Sequence, residues 1–226
     1  MPREKAPAAT ETQQAAPRRL RTDAQRNITS LLEAAKAVFG TSGVDAPAKQ
    51  VADLAGVGVG TLYRHFPRRS DLVKAVVEHQ VDACADAARE LSAAHEPGPA
   101  LALWVYRYTE FLGAKRGLAS ALHSGDPAFD ALPGYFYQRV GPALAALLDA
   151  AAASGEIRGG ISAKDLLTAI ASLCQPVPHQ DPDQAKDKGQ AKDKDQAKDK
   201  DPDAGYSQRM VALLLAGLRY RNGMDD

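Results

Sequence analysis

The chain has 226 residues, a mass of 24.0 kDa and a formal charge of zero from 28 basic and 28 acidic side chains. That length supports one sizeable core, or a small domain joined to a larger one. The charge balance excludes a uniformly basic nucleic-acid binder but leaves local charge open, and two widely separated cysteines, Cys84 and Cys174, exclude a disulfide framework and fit a reduced, cytoplasmic protein.

The opening segment, MPREKAPAATETQQAAPRR, lacks the apolar centre of a secretion signal and reads as a disordered leader, assigned to residues 1–17. No apolar run of membrane length follows, so no membrane partner is expected. The first helix is expected from about Thr22 to Phe39. Ile28, Leu31, Leu32, Ala35, Val38 and Phe39 recur there at helical spacing and make one apolar stripe. Arg18, Arg19 and Arg21 lie just ahead. Positive charge opposes a helix macrodipole at that end, a conflict resolved if the arginines face phosphates; a solvated basic tail is the alternative.

Pro47 suits the first position of a second helix, with Asp45 near enough to help cap it. Val51, Leu54 and Ala55 are expected at its buried edge and Lys49 on the outer side. The run Gly56-Val57-Gly58-Val59-Gly60 is not a dinucleotide fingerprint, because no strand precedes it and the spacing is wrong. Gly56 instead ends the second helix in the left-handed conformation. A third helix runs from Gly60 to about Phe66, with Leu62 and Phe66 inward. Thr61, Tyr63, Arg64 and His65 remain outside, and these types reach phosphate oxygens, thymine methyls and base edges. Taken singly, Tyr63 also fits a core aromatic and His65 a surface histidine. Pro67 breaks the helix, and Ser70 is expected to cap a fourth that reaches about Ala93, with Asp71 in its first turn. From Arg18 to Lys74 there are ten basic residues and five acidic ones, so the electrostatic footprint of a neutral chain is concentrated here.

The run from Gly56 to Leu72, GVGVGTLYRHFPRRSDL, resembles the helix-turn-helix signature of TetR-type (TetR/AcrR) transcriptional regulators. The likeness covers roughly Arg21 to Val76, including Val51-Ala52-Asp53-Leu54-Ala55 and the Leu31–Phe39 helix. It implies an all-α fold, with a three-helix DNA-binding domain at residues 18–70 linked to a larger helical ligand-binding and dimerisation domain at 71–226. Carried over by match, Thr61, Tyr63 and His65 are implied DNA contacts and Lys49 a backbone contact. With neighbouring basic and exposed positions, the candidate DNA-binding set is Arg18, Arg19, Arg21, Lys49, Val59, Gly60, Thr61, Tyr63, Arg64, His65 and Arg68. Ala46 departs from the family pattern, where a capping threonine is common.

Beyond Ala94 the signature fades. His95 to Pro99 reads as a turn, followed by a helix from about Ala100 to Ala114 and a short one at Leu118–Leu122. The next helix starts near Tyr135 and runs to about Ser154 with Pro142 inside it. The aromatic residues of this region suit either a dry core or an apolar pocket with a few polar groups. Trp104, Tyr108, Phe111 and His123 are the principal pocket candidates, with Tyr135 and Tyr137 beside them. No paired catalytic carboxylates, nucleophile motif or metal-ligand spacing occurs, so no catalytic residue, metal or cofactor is assigned. Ser162 is expected to cap a helix from Ala163 to about Gln175, and a last helix spans about Tyr206–Tyr220. Both are too apolar to lie exposed. Leu166, Ile170, Leu173, Met210, Leu214 and Leu218 are taken as a dimer interface, which sets two recognition helices on a two-fold site. Between them, a near-exact hexad repeat (QAKDKG, QAKDKD, QAKDKD) has alternating charge and almost no apolar residue, so residues 177–204 are assigned to a disordered insertion.

These features support a sequence-specific DNA-binding transcriptional regulator. The partners expected are a double-stranded, pseudo-palindromic operator, a second copy of the chain, and a small-molecule effector that releases a repressor. An activator or ligand-independent regulator of the same fold is the nearest alternative. A helical enzyme acting on small molecules is the alternative from another class, and it lacks a catalytic constellation.

Overall fold

The computed structural model describes the backbone of residues 15–175 and 202–219, and side chains over residues 25–115, 117–175 and 205–219. The described residues are all-α: α1 (Ala15–Ser42), α2 (Ala48–Ala55), α3 (Val59–His65), α4 (Arg69–Ala94), α5 (Pro97–Lys115), α6 (Ala119–Leu122), α7 (Leu132–Ala153), α8 (Ala163–Leu173) and α9 (Pro202–Arg219), with short 3-10 turns at Arg116–Leu118 and Pro127–Phe129. Of the leader expected at 1–17 and the disordered insertion expected at 177–204, residues 1–14 and 177–201 lie outside the described residues, whereas 15–17 are helical in α1 and 202–204 are helical in α9.

The small N-terminal unit forms because α1, α2 and α3 each offer a narrow apolar face. Leu31, Ala35, Val38 and Phe39 of α1 meet Val51 and Ala52 of α2 and Leu62 and Phe66 at α3, all of them buried. Leu54 does not belong to that face: it is 60% exposed. On a helix of 100° per residue, Ala48, Val51, Ala52 and Ala55 share one side and Leu54 falls well round from its centre.

Helix α4 joins the two parts. It packs against α1 and, more extensively, against α5 and α7. Its entry differs from the expected serine cap. Arg68 is the N-cap residue, and Asp71 in the first turn accepts the Arg68 backbone N–H at 3.0 Å, its guanidinium Nε at 3.2 Å and Nη2 at 2.7 Å. Ser70 lies inside the helix, as its second residue, because the Asp71 carboxylate three residues after Arg68 satisfies the free Arg68 amide and fixes the helix start there.

In the larger unit Trp104 is 0% exposed, and its indole N–H donates to the Cys84 carbonyl at 2.9 Å, tying α5 to α4. Asp82 of α4 accepts from Tyr135 Oη at 2.7 Å and Arg139 Nε at 2.6 Å, tying α7 to α4. Helix α5 begins at Pro97, earlier than the Pro-Gly-Pro run suggests. A proline in the first turn gives up no helical hydrogen bond, and Gly98 N–H donates to Glu156 at 3.0 Å. Helix α7 likewise starts three residues early, at Leu132, and carries Pro142 in its interior. The Ser162 cap of α8 is present, its Oγ accepting from Asp165 N–H at 3.2 Å. Helix α8 packs on α7, and α9 packs on α8 and α5. No described helix is long and apolar enough to cross a membrane.

Three of the six residues assigned to a dimer interface are core residues of the single chain. Leu166, Ile170 and Leu218 are 4%, 0% and 4% exposed, so they have almost no area left to give to a partner. Leu173, Met210 and Leu214 are half-buried. The most exposed large apolar residue among the described residues of α9 is Leu213, at 64%.

Candidate nucleic-acid interface

Helix α2 stops because Gly56 turns left-handed, at φ 70° and ψ 28°. In that geometry the Val57 amide reaches back to the Ala52 carbonyl at 3.0 Å and the Gly56 amide to Asp53 at 3.2 Å. A side chain at Gly56 would be strained by its φ alone. Gly58 then leads into α3, which runs until Phe66, whose amide caps it on the Leu62 carbonyl at 2.8 Å.

With Leu62 and Phe66 buried, the opposite side of α3 faces outward. Tyr63 is 54% exposed, and Val59, Gly60 and Arg64 are exposed beside it. Thr61 and His65 are half-buried on the flanks, the His65 ring tilted against Phe66 with centroids 6.3 Å apart. Seven of the eleven candidate DNA-binding residues are thus on or next to one short helix, and all have some free surface.

The surrounding cations are less free than their sequence suggests. Lys49 is exposed, but its ammonium lies 2.6 Å from the Asp53 carboxylate. The Arg68 guanidinium is held by Asp71, whose hydrogen bonds raise its pKa and hold the Asp71 carboxyl below the usual carboxylate range. Arg69 donates to the Val44 carbonyl, bracing the start of α4 against the segment after α1. Arg18, Arg19 and Arg21 lie within α1, which begins at Ala15 and so encloses residues expected to precede it; their side chains lie outside those described. Asp53 and Asp71 were missed as parts of this surface, although their spacing to Lys49 (i, i+4) and Arg68 (i, i+3) signals both pairs.

A cavity of about 460 Å³ opens in the larger unit. Tyr108, Phe111, His123 and Tyr137, four of the six pocket candidates, line it. Trp104 and Tyr135 do not. Trp104 is sealed in the core by its bond to Cys84, and the Tyr135 hydroxyl is turned to Asp82, its pKa raised by burial and by that carboxylate. Phe136, which lies between Tyr135 and Tyr137 and is not among the pocket candidates that the sequence offers, also lines the cavity. Val77 and Val81 place one wall on α4. Burial pushes the Cys84 thiol up to about 12, so it is an inert core group. No group of residues able to hold a metal ion occurs among the described residues.

Two family models match the chain, one for bacterial regulatory proteins of the tetR family over residues 31–76 and one for the C-terminal domain of SbtR-like transcriptional regulators over residues 96–193. Among solved structures, a TetR transcriptional regulator from Streptomyces coelicolor is 33% identical, with a TM-score of 0.65 over 85% of this chain and 98% of that one. A TetR transcription regulatory protein from Mycobacterium vanbaalenii is 30% identical, with a TM-score of 0.63 over 89% and 99%. An HTH-type transcriptional regulator of Staphylococcus aureus (strain USA300) is 38% identical over 64 residues, which span 28% of this chain and only 35% of that relative.

Proposed function

Since the chain belongs to the TetR family of bacterial regulatory proteins, we propose that it is a dimeric repressor that leaves a pseudo-palindromic operator when a small molecule fills the cavity of its larger unit. The observation that carries this reading is the outward face of α3. Val59, Gly60, Tyr63 and Arg64 are exposed there without serving the core, while Leu62 and Phe66 hold the helix in place. Val59 offers a methyl-sized apolar surface for thymine. Tyr63, Arg64 and His65 offer hydrogen bonds to bases or phosphates.

A single seven-residue helix reads too few base pairs for operator-level specificity, so two copies are required on one site. Leu213 and its exposed neighbours Ala212, Ala216 and Gly217 on α9 give an apolar surface of small residues on which two protomers can pair, with α8 alongside. Control follows from α4. The same helix starts next to α3 and supplies Val77 and Val81 to the cavity wall. A ligand that prefers one position of α4 therefore changes the separation of the two recognition helices. Couplings of this kind amount to about 1–3 kcal/mol, or roughly 5–150-fold in affinity.

The test is fluorescence anisotropy with DNA selected from a random pool. The expected result is a specific complex of one dimer per site, with affinity falling steeply as salt rises. Failure to bind any DNA at low salt would sink this reading.

A further inference from the structure

The cavity bears a pattern that specifies its ligand more narrowly, and this inference rests on the effector reading above. Three of its rings lie nearly parallel. Phe111 and Phe136 are 5.9 Å apart at 9°, Tyr108 and Phe111 6.1 Å apart at 19°, and Tyr108 and Phe136 6.0 Å apart at 27°. Tyr137 meets Phe136 edge-on, with centroids 5.3 Å apart at 75°. Such a set presents aligned ring faces and edges against which a planar guest packs better than a branched one.

The one formal charge in the cavity lining is positive. Lys115 and His123 line it, and no aspartate or glutamate does. The His123 Nδ1 is 2.7 Å from the Ala119 carbonyl. A carbonyl only accepts, so Nδ1 carries a proton and Nε2 is the nitrogen left for a guest. The Tyr108 hydroxyl is buried and turned to the Leu167 carbonyl at 3.5 Å, and Lys115 and His123 are the charged and imidazole groups of the lining. An ammonium and an imidazole beside an aromatic wall suit a carboxylate, since charge-assisted hydrogen bonds are the stronger kind.

We propose that the cavity between α4, α5 and α7 takes a planar aromatic acid, with its rings against Tyr108, Phe111 and Phe136 and its carboxylate toward Lys115 and His123. A volume of about 460 Å³ is within the range of small-molecule sites and suits a guest of roughly two or three rings.

Calorimetry on the DNA-free protein with 2-naphthoate, 2-naphthalenemethanol and 2-naphthylmethylammonium tests this, because the three share a ring system and differ in charge. The expected order is acid over alcohol by about tenfold, with the ammonium weakest. Lys115→Met keeps the stem and removes the charge; it should remove most of the preference for the acid while leaving the alcohol's affinity unchanged. His123→Ala should weaken the acid by a smaller factor. Both residues are exposed, so the melting temperature should stay at the wild-type value. Equal affinity for acid and alcohol, preference for the ammonium, or no binding of any probe would overturn the assignment. A naphthoate that binds with the expected preference yet leaves DNA affinity unchanged would support this site and overturn only the release reading.

Discussion

Gly117 lies so close to the Phe39 carbonyl that a methyl group on its Cα would stand 2.8 Å from that oxygen and 3.3 Å from Gly40 Cα. This is a close backbone approach between the larger unit and the end of α1. The neighbour is backbone rather than a flexible side chain, so Gly117→Ala must push the α5–α6 turn away from α1. Overpacking of this type costs about 1–3 kcal/mol. For a chain of this size each kcal/mol lowers the melting temperature by roughly 2–4 °C. Calorimetric melts should show that drop. An unchanged melting temperature would mean that the turn moves freely and does not brace the two units.

If the outward face of α3 meets DNA, Tyr63 and His65 are the side chains whose loss separates DNA binding from folding. Tyr63 is more than half exposed, and His65 gives only a tilted ring contact to Phe66. Tyr63→Ala and His65→Ala should each weaken operator binding by about 1–3 kcal/mol, or roughly 5–150-fold, as loss of a base-edge or phosphate contact does. Neither should change the sedimentation coefficient. Loss of the dimer in either variant would place these side chains on a different surface from the one assigned.

Asp53 gives a prediction of opposite sign. Its carboxylate lies 2.6 Å from the Lys49 ammonium, at an exposed position next to the turn. It neutralises the lysine and repels phosphate. Asp53→Asn should therefore strengthen DNA binding at low salt, by about 3–10-fold, and steepen the salt dependence by about one phosphate contact. Weaker binding in this variant would show that Asp53 orients Lys49 rather than competing for it.

The helices and the N-terminal core were legible because a 3.6-residue period in Leu31–Phe39 and in Val73–Val81 leaves little choice of face. The signature around Gly56 to Leu72 carried the family. Three things were not legible, each for a physical reason. Apolar content does not say which neighbour covers a residue, so Leu166, Ile170 and Leu218 were assigned to a partner although their own chain buries them. Residue type does not say whether an aromatic ring lines a space or fills one: Trp104 fills, Phe136 lines. The cap of α4 was misplaced because serine is the commoner cap, and the competing Arg68–Asp71 bond depends on a guanidinium folding back along its own helix.

That bond gives a pH signature. Asp71 is held below the usual carboxylate range, first by hydrogen bonding from the Arg68 guanidinium and then by the Arg68 backbone amide. A carboxyl with a folded pKa below its unfolded one stabilises the fold fully above the unfolded value, near 4. The contribution is lost as pH falls through the lowered folded value. Asp71→Asn keeps an acceptor for the backbone amide but cannot ionise. The melting temperature of the variant should lie below wild type at pH 7, and the gap should close on acidification below about pH 4. A gap that is constant with pH would assign the loss to geometry rather than charge.

The core–surface division within α8 and α9 decides between two kinds of damage. Leu213 is 64% exposed and Ile170 0%. If α9 pairs with its copy, Leu213→Glu brings two charges into one apolar contact across the two-fold axis. It should yield folded monomers in sedimentation equilibrium, and DNA affinity should fall by a factor of a hundred or more, on the order of 3 kcal/mol, because one half-site alone remains bound. Ile170→Ala should instead cost about 2–5 kcal/mol of stability through the cavity it leaves, with the dimer intact at temperatures below its lowered melting point. If Leu213→Glu stays dimeric and binds DNA as the unaltered chain does, the pairing surface lies elsewhere, and the exposed Leu103 and Tyr106 on α5 become the next surface to substitute.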